Sequence, residues 1–143
     1  MIGFAFLVHK DIPSVIQLFE SLYRPQHFYV FHVDWRQSSE RESLKHKIEE
    51  RFPMSDNIVI LPTERSFVTS WGSFGLVRAL LEAYEELCRM GTWDFAINLS
   101  GSDLPLRSVE DLSLALGTFI NHVDTILYFS GHLNHFLPIL AAL

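Results

Sequence analysis

The chain has 143 residues, 48% hydrophobic and 13% aromatic with 12 phenylalanines, enough apolar bulk for one domain with its own core and too much for a disordered chain. A net charge of -6 argues against a surface that reads nucleic-acid phosphates, and one cysteine, Cys88, rules out an intrachain disulfide. The longest apolar run near the start, Ile2–Val8, falls far short of the roughly 20 residues that span a bilayer.

In chain order, Ile2–Val8 reads as a short buried strand. Asp11 before Ile12-Pro13 reads as the cap of a helix carrying Val15, Ile16, Leu18, Phe19 and Leu22 inward, which Arg24-Pro25 stops. Phe28–Val33 is a second strand that ends on Asp34. Ser38 or Ser39 is expected to cap a charged helix through about Arg51, with Leu44 and Ile48 facing in. Residues 57–61 form a third strand, and a loop over 62–71 follows it with Thr63, Arg65, Thr69 and Ser70. Gly72-Ser73-Phe74-Gly75 opens a helix over about 73–90, whose apolar face is read as Leu76, Val77, Leu80, Leu81, Tyr84 and Leu87, and Gly91 ends it. Residues 95–99 read as a buried fourth strand, Ser108 caps a helix at Val109–Phe119, and 125–129 read as a fifth strand. Strands alternating with helices imply one α/β domain over 1–143, a mostly parallel sheet with helices on both faces.

Polar residues gather where three strands end: His9 and Lys10 after the first, His32, Asp34 and Arg36 around the end of the second, and Ser100-Gly101-Ser102-Asp103 after the fourth. The C-terminal edge of such a sheet is where ligands bind. Asp34 is placed either to accept vicinal ribose hydroxyls or to cap the next helix. His9 and His32 suit ligand contact and a satisfied core position equally, and Trp71 can stack on a flat ligand or close the core. No glycine-rich phosphate loop follows the first strand, which argues against a dinucleotide dehydrogenase. His132 and His135 lack a carboxylate partner in the sequence, and Asp103 alone is a poor site for a hard cation, so no metal is expected.

The strings Phe28-Tyr29 with His32-Val33-Asp34, Ser70-Trp71-Gly72-Ser73-Phe74, and Ile97-Asn98-Leu99-Ser100-Gly101-Ser102-Asp103-Leu104-Pro105-Leu106-Arg107 resemble the core-2/I-branching glycosyltransferase family. That family includes β-1,6-N-acetylglucosaminyltransferases and peptide O-xylosyltransferases, and the resemblance runs from about Ile2 to Phe119, ending by about Asn121. It implies a GT-A fold and inverting transfer from a UDP-sugar to a protein serine or glycan acceptor, with no metal or other cofactor required. It also implies a membrane-anchored enzyme of the Golgi, although this chain holds no membrane segment of its own. The UDP-sugar-binding residues it implies are Leu7 and Val8 against the uracil, His9, Asp34 on the uridine, Arg36, Thr69, Ser70, Trp71 and Asp103. Arg36 two residues after Asp34, and Trp71-Gly72, lean towards the xylosyltransferase branch.

The glutamate base of the family and the cations that balance the diphosphate lie beyond the matched region, so no catalytic residue is assigned within it. The chain is therefore expected to be a donor-binding half, truncated at its C-terminus, that transfers no sugar alone. The alternatives are a non-catalytic UDP-binding pseudoenzyme module and a flavodoxin-like signalling domain. The latter would need an acidic cluster where Lys10-Asp11 stands.

Overall fold

A computed structural model of the chain describes residues 1–119; the strand expected at 125–129, and His132 and His135, lie outside the described residues. The elements are β1 (Ile2–Val8), α1 (Ile12–Leu22), β2 (Phe28–Val33), α2 (Ser38–Arg51), β3 (Ile58–Ile60), a 3-10 turn at Thr63–Arg65, α3 (Phe74–Met90), β4 (Phe95–Ser100) and α4 (Val109–Phe119). The four strands form one sheet in the order β3-β2-β1-β4, and every pairing is parallel. Parallel neighbours need a crossover, and helices supply it here. The chain moves outward from β1 to β3 and then jumps back to the far side of β1, so the order reverses beside β1. All four strands end at the same edge, where their loops gather.

Side-chain alternation along β1 and β2 decides which helix covers which face. Phe4, Phe6 and Val8 with Tyr29, Phe31 and Val33 face α1, α2 and α4 in the larger core. The register sets Phe4 beside Tyr29 and Phe6 beside Phe31, and these pairs stack at 5.3 and 4.5 Å. Phe19 of α1 meets Phe31 edge-on at 5.2 Å. The Tyr29 hydroxyl donates to Leu22 O at 2.8 Å and accepts Arg24 N–H at 2.7 Å, which ties the end of α1 to the sheet.

The opposite face carries small residues. Ala5 and Val30 meet Ala83 and Leu87 of α3, and a Cβ on Gly3 would stand 3.1 Å from Leu87. This corrects part of the apolar face read for α3: Leu80, Tyr84 and Leu87 pack on the sheet as expected, and Leu76, Val77 and Leu81 do not. The helix lies close to the sheet on Ala79, Ala83 and Leu87, while Leu76, Val77 and Leu81 point outward. Cys88 is exposed as well.

Other boundaries differ in detail. Asp11, at φ 57°, caps α1 by accepting from Ser14 N and Oγ, and Ser108 caps α4 through Asp111 N at 3.1 Å. By contrast, Gln37 stands at the cap of α2 without a side-chain bond. Strand β4 is only half-buried, with Asn98 exposed, because it is one of the two edge strands of the described sheet.

Candidate functional site

Beyond the end of β2 the chain builds a polar hub on Asp34, whose side chain has no exposed surface. Oδ1 accepts Arg36 N at 2.9 Å and Arg36 Nε at 3.0 Å. Oδ2 accepts an Arg36 guanidinium N–H at 2.9 Å, and both the backbone N and Oγ1 of Thr69 at 2.7 Å. Burial pushes the Asp34 carboxyl up, but these bonds from Arg36 and Thr69 outweigh it and hold the group well below the usual carboxylate range. Asp34 thus stays ionised, and its oxygens are already engaged by protein donors. Arg36 also donates to Thr69 O at 3.2 Å and leaves about half of its side chain exposed.

A buried floor beneath this hub holds the loop over 62–71 against β2. His32, fully buried, accepts Phe67 N–H on Nε2 at 2.9 Å, and Trp35 N–H donates to Phe67 O at 3.1 Å. Burial first, and then the Arg41 charge, lowers the His32 pKa to about 4, so the ring is neutral near pH 7. Arg41 of α2 is 7% exposed and donates to Val33 O at 2.8 Å, Ser66 Oγ at 2.7 Å and Thr63 Oγ1 at 3.0 Å. Arg65 of the 3-10 turn pairs with Glu82 at 2.9 Å and with Glu86, both on α3.

From this floor the loop presents Ser70 and Trp71 outward, while half-buried Thr69 turns its N–H and Oγ1 to Asp34. Ser70 O accepts Ser73 N–H at 3.0 Å across a tight turn in which Gly72 takes φ +70°, a conformation that favours glycine. The turn leaves the Trp71 indole 76% exposed, and Trp35 is 55% exposed. Gly75 in the first turn of α3 is required by contact: a Cβ there would stand 2.1 Å from Val68 O.

The other implied residues divide. Leu7 is half-buried and His9 is exposed at the end of β1. Val8 points into the larger core at 1% exposure and contributes its carbonyl, which accepts Asp34 N–H at 2.8 Å. Asp103 bends the loop after β4 back on itself: Oδ2 accepts Ser100 N–H at 2.7 Å, and Asp103 N–H donates to Ser100 O at 3.3 Å. Gly101 packs on α1 so closely that a Cβ would lie 2.8 Å from Val15 Cγ2. A carboxylate at position 101, which would complete a pair with Asp103, has no room. Among the described residues no three His, Cys, Asp or Glu side chains converge as a metal site.

The structure therefore brings Asp34, Arg36, Thr69, Ser70 and Trp71 together and keeps Asp103 on a separate loop at the same edge. Arg41 went unpredicted because it sits in a run of charged helical residues. Its spacing from Leu44 and Ile48, three and seven residues on, put it on the same inward face.

This arrangement offers an indole for stacking, hydroxyl and amide groups for sugar or base edges, and a half-exposed guanidinium for an anionic group. Comparison with known proteins gives it a context. The family model Core-2/I-Branching enzyme matches residues 2–131, which extends the likeness past the end at about 121 read from the motifs. Similar proteins include "Xylosyltransferase oxt" of Drosophila pseudoobscura pseudoobscura, 38% identical over 104 residues, 72% of this chain and 11% of that protein. "Xylosyltransferase 2" of Homo sapiens is 33% identical over 114 residues, 78% of this chain and 12% of that protein. "Xylosyltransferase 1" of Rattus norvegicus is 31% identical over 122 residues, covering 82% and 14%. The chain thus spans 11–14% of the length of these relatives. With the α/β sheet, the strand-end loops and these matches agreeing, the chain belongs to the Core-2/I-Branching enzyme family.

Proposed function

We propose that this chain carries the donor-binding part of a glycosyltransferase that moves xylose, or N-acetylglucosamine, from a UDP-sugar to a protein serine or glycan acceptor with inversion. The observation that carries this reading is the cluster of Asp34, Arg36 and Thr69 beyond β2, with the exposed Trp71 on the adjoining turn. Trp71 would stack on the base, and Thr69, Ser70 and Arg36 would meet the nucleoside and its phosphates. Asp34 would hold those groups in place. The names of the relatives support xylose as the sugar, as does Arg36 two residues after Asp34. The Golgi membrane system is the compartment this reading implies.

Inverting transfer needs a base for the acceptor hydroxyl and cations for the departing diphosphate. Asp34 and Asp103, the carboxylates on the strand-end loops singled out above, are both bonded to protein N–H groups. That favours a second reading for the described residues, a UDP-binding unit without chemistry of its own. One experiment addresses both. The chain is titrated calorimetrically with UDP-xylose and UDP-N-acetylglucosamine, then incubated with labelled donor and serine peptides. Binding of UDP-xylose without turnover above a heat-killed control is expected. Turnover would assign chemistry to these residues, and absence of binding by either nucleotide sugar would overturn the proposal.

A further inference from the structure

We propose that His32 is a positioning residue for the nucleotide loop: its buried Nε2 takes the Phe67 N–H, as Asp34 takes the Thr69 N–H, and together they hold residues 67–69 along the end of β2, ahead of the turn that carries Trp71. The inference rests on the donor-loop reading above, since it gives a role to a residue that has no exposed surface with which to touch a nucleotide.

The spacing makes the arrangement work. Residues two apart on an extended chain point the same way, so the side chains at 32 and 34 face the amides at 67 and 69. Between them Trp35 N–H reaches Phe67 O, so main-chain and side-chain bonds join the two segments. Strand β3 ends at Ile60, and the chain leaves the ladder for the 3-10 turn before returning at Ser66. On its return an imidazole and a carboxylate meet two of its amides in place of backbone carbonyls. The rings of His32 and Phe67 lie parallel, 6.2 Å apart, and Arg78 covers the Phe67 ring at 4.1 Å. The next carbonyl, Val68 O, rests on Gly75. Residues 66 to 69 are each gripped at a different group: Ser66 Oγ by Arg41, Phe67 N by His32, Val68 O against Gly75, and Thr69 N by Asp34.

The bond requires a neutral ring protonated on Nδ1 with Nε2 bare. Burial and the nearby Arg41 charge oppose a second proton. Nδ1 has no hydrogen-bond partner among the described residues, so the Phe67 N–H is the contact that orients the ring's polar side.

The test uses the full 143-residue chain with His32→Leu, which removes the acceptor, and His32→Gln, whose Oε1 can replace it. Amide exchange in His32→Leu should rise about tenfold or more at Phe67 and Thr69 while β1 and β2 amides keep their rates. The UDP dissociation constant should rise about tenfold, and His32→Gln should recover most of both. Unchanged exchange at Phe67 in His32→Leu would overturn the latch. Faster exchange with unchanged UDP affinity, in a chain that binds UDP, would overturn the positioning role. A wild-type chain that does not bind UDP would sink the donor-loop reading, and Phe67 exchange would still decide the latch. Should His32→Leu fail to fold, imidazole ¹⁵N shifts of the wild type at pH 7 give the answer. A ring protonated on Nδ1 supports the proposal, and one protonated on Nε2 contradicts it.

Discussion

At Asp34, Arg36 and Thr69 supply five hydrogen bonds to two buried oxygens. Asp34→Ala leaves the Thr69 N–H unpaired and Arg36 without its counter-charge, so it should cost roughly 2–4 kcal/mol of stability in urea denaturation. Loss below about 1 kcal/mol would mean that the hub does not hold the loop. The position was legible as a strand-end carboxylate, but its bonds to Thr69 were not, because Thr69 lies 35 residues away in sequence. His32 was left open between ligand contact and core, and the structure makes it a core acceptor. Its pH dependence follows from the lowered pKa. The ring titrates near 6.5 when unfolded and at about 4 when folded, so between those values the unfolded chain binds more protons. Stability should therefore fall as pH drops from about 6.5 to 4, by up to about 3 kcal/mol. Asp34, held below its ordinary 3.8, adds a further loss as pH falls below that value. In His32→Gln the decline between pH 6.5 and 4 should be visibly shallower; equal slopes would remove His32 as its cause.

Among the elements, α3 and the turn before it separate what periodicity can read from what it cannot. The helix itself was legible from its apolar repeat. Its buried face was legible only in part: Leu80, Tyr84 and Leu87 face the sheet as read, but β1 and β2 offer Gly3, Ala5 and Val30 on that side, and a helix seated on these small residues also buries Ala79 and Ala83 and leaves Leu76, Val77 and Leu81 outside. Gly75 marks the tightest contact between this helix and the loop. Gly75→Ala should displace Val68, cost about 1–3 kcal/mol, and weaken UDP binding. Gly117→Ala, where a Cβ meets nothing within 4 Å, should instead be neutral or stabilise α4 by up to about 1 kcal/mol. Thermal denaturation of the two variants checks the contrast, and a harmless Gly75→Ala would show that the loop does not rest on α3 as described.

For the whole molecule, the parallel sheet with helices on both faces was legible because each strand run is short, apolar and followed by a helix with a readable start. The convergence of strand ends followed from that topology, whereas the division of labour at the edge did not. The turn at 70–73 exposes Trp71, while Asp34 and Asp103 are tied to backbone N–H groups. The account's central claim is that this edge forms a uridine nucleotide site. The most direct measurement is calorimetric titration of the chain with UDP, ADP and GDP at matched concentrations, each with and without EDTA. The account predicts that UDP binds at least about tenfold more tightly than either purine nucleotide, a difference of roughly 1.4 kcal/mol, with no change on adding EDTA. Equal affinities for the three nucleotides would contradict it, as would UDP binding that collapses with EDTA and returns with Mn²⁺.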